Sequence, residues 1–170
     1  SLENVRVPRS AVIGEVGCGM SIALNALNLS RAFISTLAVG IMQRALDEAV
    51  AYAKQRKQFG RRLIDFEMVQ AMLADMAIKT EAARVLVNNC MRQMDAGEMV
   101  RKDGAIVKTF VTDAMQEVVS NAVQVLGGYG YSEEYPVEKL MRDAKIFQIF
   151  EGSNQIQRMT IAKELDREYR

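Results

Sequence analysis

The chain has 170 residues, nearly half of them apolar, with 22 Lys or Arg against 21 Asp or Glu, a formal net charge of +1, and no histidine. That charge balance gives no support for nucleic acid or a charged membrane surface as the main partner. Without histidine a Ser-His or Cys-His catalytic pair is impossible and zinc lacks its usual ligands, so no metal is expected; Cys18 and Cys90 stand alone, without ligand spacing, as in a reducing compartment.

In chain order, Val5-Arg6-Val7 has a short strand pattern that Pro8 ends, and a glycine-rich turn follows. Residues 1–18 are expected to be the end of an upstream β-domain and its linker, and residues 19–170 a helical domain. A long helix is predicted from about Met20 to Gln55, with Ile22, Ala26, Leu29, Phe33, Leu37, Ile41, Ala45, Ala49 and Tyr52 on its apolar stripe. Residues 56–62 are a basic connector. A second helix is predicted over about Phe66 to Ala96, with Val69, Met72, Leu73, Met76, Ala83, Leu86, Cys90 and Met94 on one face. A third, about Lys102 to Leu126, turns Val107, Phe110, Ala114, Val118, Ala122 and Val125 inward and breaks at Gly127-Gly128. Pro136 opens a fourth helix ending near Phe150, and Ser153 or Asn154 caps a last one to about Glu168. The pattern is all-α: an up-and-down four-helix bundle with an extra C-terminal helix. No uninterrupted apolar run of about 18 residues occurs, so no membrane span is expected.

Glu151 is the most informative residue. It follows the apolar run Ile146-Phe147-Gln148-Ile149-Phe150 and precedes Gly152-Ser153-Asn154-Gln155. A lone carboxylate where such a run must turn is expected to be partly stripped of water, which suits a proton acceptor. The alternative is a surface carboxylate flanking a helix end.

Four stretches then carry a resemblance: Arg56-Lys57-Gln58-Phe59-Gly60; Met72-Leu73-Ala74-Asp75-Met76; Gln124-Val125-Leu126-Gly127-Gly128-Tyr129-Gly130-Tyr131; and Tyr135-Pro136-Val137-Glu138 running through Phe150-Glu151-Gly152-Ser153-Asn154-Gln155-Ile156-Gln157-Arg158. In this order and spacing they resemble the carboxy-terminal helical domain of acyl-CoA dehydrogenases, over nearly the whole chain.

The resemblance implies α,β-dehydrogenation of an acyl-CoA to the trans-2-enoyl-CoA, with FAD as cofactor and Glu151 as the base. Some branches place the base on the first helix; no Asp or Glu lies between Glu15 and Asp47, so that arrangement is not expected. The resemblance further implies that Arg56, Gln58, Phe59, Gln124, Gly127 and Gly128 meet a neighbouring subunit's FAD. Ser153 and Gln155 would meet the FAD of the same site. Gly152 would offer its amide to the thioester oxygen. Asn28 and Arg31 match a substrate-binding Asp-x-x-Arg segment, with Asn28 replacing the aspartate. Glu67 stands where a glutamine is usual. A homotetramer built as a dimer of dimers, electron-transfer flavoprotein as partner, and a bacterial cytoplasmic or mitochondrial matrix location are implied in the same way. The alternatives are an oligomerisation module inactive in isolation and an acyl-CoA oxidase-type relative. The chain by itself is expected to bind FAD poorly and to turn nothing over.

Overall fold

The structure, a computed structural model, describes residues 1–170. Five helices carry it: α1 (Gly19–Gln55), α2 (Glu67–Asp95), α3 (Arg101–Leu126), α4 (Val137–Ile146) and α5 (Asn154–Glu168). The predicted helices are all present, with starts within two residues of expectation.

α3 is the central rod and packs against the other four helices. Its direction follows from its contacts. Gly104, near its start, lies against Asn28 and Arg31 of α1, and Tyr129, just past its end, meets Tyr52 near the end of α1. α1 and α3 therefore run the same way. α2 returns between them, tied to α3 by Lys79–Glu117 at 2.6 Å and to α1 by Arg84–Gln43. α5 begins beside Thr112 and Asp113 and ends beside Lys102, antiparallel to α3. α4 lies along the C-terminal part of α3 and α5 along its N-terminal part. The fourth rod of the bundle is thus built in two pieces, and Glu151 sits in the break between them.

α4 stops at Ile146, four residues earlier than expected. Residues 147–150 make tight turns instead, with Phe147 N–H donating to Ala144 O and Phe150 N–H to Ile146 O. Phe147 is buried and stacks edge-on against Phe150 at 5.0 Å, so apolar anchoring at the break replaces the last helical turn.

The buried face of α1 matches the predicted one at Ala45 and Ala49 and differs from it over the N-terminal half of the helix. Leu29, Phe33 and Leu37 are exposed, whereas Arg31, Ala32, Ser35, Ala38, Met42, Ala45, Ala49 and Ala53 are buried. Small side chains let α1 approach α3 closely, and the bulky stripe is turned out of the bundle. α2 keeps its expected face, with Leu73, Met76, Ala83 and Cys90 in the core; in α3 only Phe110, 40% exposed, departs from it.

By length and composition alone α1 would suffice to cross a membrane. Its packing against α2 and α3 is that of a core rod of the bundle.

Two smaller expectations change. Val5-Arg6-Val7 forms no strand: these residues are exposed and pair with nothing, and a strand needs a neighbour for its backbone groups. The basic connector is a small hairpin, β1 (Lys57–Gln58) antiparallel to β2 (Arg61–Arg62), with Lys57 opposite Arg62.

Candidate active site

The break in the fourth rod is held in an unusual backbone conformation. Glu151 has φ 57° and Gly152 φ 84°, so two successive residues are left-handed. Glycine adopts this region freely; a glutamate there is strained and persists only when its surroundings hold it. Its side chain is half-buried, and its Oε2 accepts a 2.7 Å hydrogen bond from Ser30 Oγ of α1. The carboxylate is therefore fixed against the long helix, not free at a surface helix end.

The carbonyls of this turn point inward. Gln157 Nε2 donates to Glu151 O at 3.0 Å and to Gly152 O at 2.9 Å. Lys108 Nζ, from α3, donates to Gly152 O at 3.0 Å and to Asn154 Oδ1 at 2.7 Å. Both Lys108 and Gln157 are completely buried. The amides of Glu151, Gly152 and Ser153 have no acceptor within the chain. Because a trans peptide sets N–H opposite C=O, fixing Glu151 O inward aims the Gly152 amide outward.

Burial pushes the Lys108 ammonium down to about 8; the Asp113 and Glu151 charges oppose that shift and Arg31 adds to it. Burial would also raise the Asp113 carboxyl, but hydrogen bonds from Arg158, Gln148 and Asn154 outweigh it and hold it below its ordinary value. Lys108 and Ser30 carried no role in the sequence reading. The available signal was a lone lysine within the apolar stretch Ala105-Ile106-Val107-Lys108 on the inward face of a core helix, where an unpaired charge is costly.

Arg31 is 7% exposed. Its Nη1 donates to Asn28 Oδ1 at 2.9 Å, while its Nε is buried with no acceptor. Desolvation and the nearby Arg101 charge lower its pKa, and Glu151 opposes them. A buried donor left unmatched is expensive, so Arg31 is held in this place at a cost to stability. Asn28, the departure from the usual aspartate, serves here to orient Arg31.

The remaining predicted contacts fall in two places. Arg56, Gln58, Gly127 and Gly128 share a groove of about 590 Å³ with Tyr52 and Tyr129, at the far end of α3. Arg56 lies 5.6 Å over the Tyr129 ring. Lys108 and Gly127 are 19 positions apart, which at 1.5 Å per residue separates this groove from Glu151 by roughly 28 Å. Phe59 and Gln124 do not line the groove. Phe59 is 93% exposed at the hairpin tip against Phe66, and Gln124 is exposed on the last turn of α3. The Gly127 amide is not free for a phosphate, since it caps α3 by donating to Val123 O and Gln124 O. What Gly127 and Gly128 contribute is open space: a Cβ built at either would meet nothing within 4 Å.

Ser153 and Gln155 line a second cleft of about 440 Å³ beside Glu151, with Asp113, Gln148 and Arg158. Ser153 is at the N-cap of α5 as expected, yet its hydroxyl makes no capping bond. Glu67 is exposed at the start of α2 and forms no ion pair; Arg62 is bound to Asp65, and Arg61 stacks 3.9 Å over Phe66.

The all-α bundle and the sequence both match a known family. The model of the acyl-CoA dehydrogenase C-terminal domain matches residues 17–165. A Mycobacterium tuberculosis protein named as a probable acyl-CoA dehydrogenase is 49% identical over 96% of this chain and 42% of its own length. The caffeyl-CoA reductase–Etf complex subunit CarC of Acetobacterium woodii is 43% identical over 95% of this chain and 42% of its own. The butyryl-CoA dehydrogenase structure from Megasphaera elsdenii superposes with a TM-score of 0.95 at 44% identity, over 97% of this chain and 43% of that one. The chain belongs to the acyl-CoA dehydrogenase family, as its C-terminal domain, and it spans less than half the length of these relatives.

Proposed function

We propose that the enzyme built on this domain removes the α proton of an acyl-CoA with Glu151 and forms the trans-2-enoyl-CoA. The observation that carries this reading is the strained Glu151-Gly152 turn, which sets a fixed carboxylate next to an outward, unmatched amide. An α C–H is a weak acid until the thioester carbonyl is polarised. The Gly152 amide suits that oxygen, and a preorganised donor stabilises the developing charge without reorganising. FAD, when bound, supplies the acceptor for the β hydrogen as hydride. Arg31, oriented by Asn28, would meet the CoA portion through its guanidinium, as the matching segment implies.

The far groove fits part of a dinucleotide. A forked guanidinium suits phosphate oxygens, and two glycines leave room for close approach. Arg56, Gln58, Gly127 and Gly128 would serve a neighbouring subunit's FAD, while Ser153 and Gln155 would serve the FAD beside Glu151. The separation between the two regions supports a cofactor site shared across subunits and hence a homo-oligomer. The relative CarC is named as a subunit of a complex with Etf, which supports an electron-transfer flavoprotein as the redox partner. That relative is a reductase, so the same site is expected to serve 2-enoyl reduction as well, with Glu151 returning the α proton.

In the whole enzyme Glu151→Gln should reduce acyl-CoA oxidation by at least 10³-fold while flavin content stays unchanged, the range expected for removing a positioned base. Near-normal turnover in that variant overturns the base assignment. Arg56→Ala should lower flavin retained through gel filtration; full occupancy contradicts the cross-subunit role.

A further inference from the structure

The two buried polar side chains beneath the turn are not explained by the chemistry above. Lys108 reaches from α3 and Gln157 from α5, and together they hold both carbonyls of the left-handed pair. We infer that Lys108 and Gln157 form a clamp that positions the catalytic turn, setting the direction of the Gly152 amide and the place of the Glu151 carboxylate. The inference rests on the reading of Glu151 as the base.

The geometry makes the clamp specific. Gln157 Nε2 is shared between two successive carbonyls at 3.0 and 2.9 Å, which fixes the peptide between Glu151 and Gly152. Lys108 Nζ holds the second of these carbonyls, Gly152 O, together with Asn154 Oδ1, joining the turn to the first residue of α5. Asn154 Nδ2 also donates to Thr112 Oγ1 at 2.9 Å and to Asp113 Oδ1 at 2.7 Å, so this one residue ties the start of α5 to three residues of α3. The arrangement is also costly. Lys108 is a fully buried ammonium with no carboxylate bonded to it, and Gln157 Oε1 is buried without a donor. A core chosen for stability alone would place apolar side chains at both positions. Groups kept at such expense beneath a strained turn point to a positioning task.

The charges facing Lys108 are Arg31 from α1, Asp113 from α3 and Glu151 from the turn itself. Neutralising the amine weakens its bonds to Gly152 O and Asn154 Oδ1, because a charged donor makes the stronger hydrogen bond.

The test uses Lys108→Met, which keeps an unbranched side chain of nearly the same bulk, and Lys108→Gln, which keeps a donor without the charge. In this chain the Gly152 amide order parameter from nitrogen relaxation is read directly. It should fall from a rigid value of about 0.85 toward 0.6 in Lys108→Met and less far in Lys108→Gln. In the whole enzyme the kcat of Lys108→Met should drop about 10- to 100-fold, with KM for acyl-CoA changed less than about threefold, the pattern of a lost transition-state interaction. In the wild-type chain, raising the pH from 7 to 9 should loosen the same amide. A rigid Gly152 in both variants and at pH 9, with unchanged kcat, overturns the clamp. Glu151→Gln is run alongside. Loss of turnover there with a rigid Lys108→Met turn sinks the clamp alone. Retained turnover there sinks the base reading, while the amide relaxation still decides whether the clamp exists.

Discussion

A lysine at position 108 carries its charge where solvent does not reach, and this has a pH signature. Its folded pKa is about 8 against an ordinary 10.5, so the native chain binds fewer protons than the unfolded one between these values. The penalty for burying the charge is complete below pH 8 and is relieved as the pH rises to 10.5. Lys108→Met removes that penalty. Its stability relative to wild type should therefore be greatest near pH 7 and should decline by a few kcal/mol by pH 10.5, measured by urea unfolding at both. A second residue-scale expectation concerns Gly152. A Cβ there would lie 2.6 Å from Gln157 Nε2, on a backbone with φ +84°. Gly152→Ala should cost about 1–3 kcal/mol in thermal or urea unfolding and should displace Gln157 from the turn. Turnover is expected to suffer more than stability, because the displaced group is the one that aims the amide.

Among the elements, α1 decides how closely the rods meet. Ala32, Ala38, Ala45, Ala49 and Ala53 are all fully buried, and they form the seam along which α1 lies on its neighbours. Periodicity locates an apolar stripe on a helix but not which of two adjacent stripes meets the rest of the same chain. In the N-terminal half the bulky residues drew the prediction to Leu29, Phe33 and Leu37, whereas close packing selected Ala32 and Ala38; farther along, Ala45 and Ala49 are buried as expected. Enlarging the seam should overpack it: Ala45→Leu is expected to destabilise the chain by about 1–3 kcal/mol in urea unfolding. The fourth rod teaches a related lesson. The run 146–150 continues the apolar pattern of α4, yet the chain turns within it, because Phe147 is anchored in the core and Glu151 must point to α1.

At the scale of the whole molecule, the exposed stripe of α1 is the clearest sign of further contacts. Leu29, Phe33 and Leu37 are 47%, 53% and 63% exposed along one side of a helix whose other side is core. In the complete enzyme this stripe is proposed to be covered by another domain or subunit. Phe33→Ser should leave the melting temperature of the 170-residue chain within a few degrees of wild type, because the side chain packs little against the bundle. The same change in the complete enzyme should shift its gel-filtration profile toward smaller species or lower its flavin content.

Helix number, helix starts and the identity of the turn at Glu151 were determined by the sequence, because helical periodicity, glycine breaks and the motif Ile149-Phe150-Glu151-Gly152 are local properties of the chain. The expected FAD and substrate contacts at Arg56, Gly127, Gly128, Ser153 and Arg31 could likewise be named from motifs. Which face of the N-terminal half of α1 is buried, the placement of Phe59 and Gln124 outside the groove, and the bonds of Ser30, Lys108 and Gln157 were decided only by tertiary structure. The Lys108 and Ser30 bonds join residues 44 and 121 positions apart, a meeting no local pattern encodes, whereas Gln157 reaches back only five and six residues and depends on how the turn folds onto the start of α5.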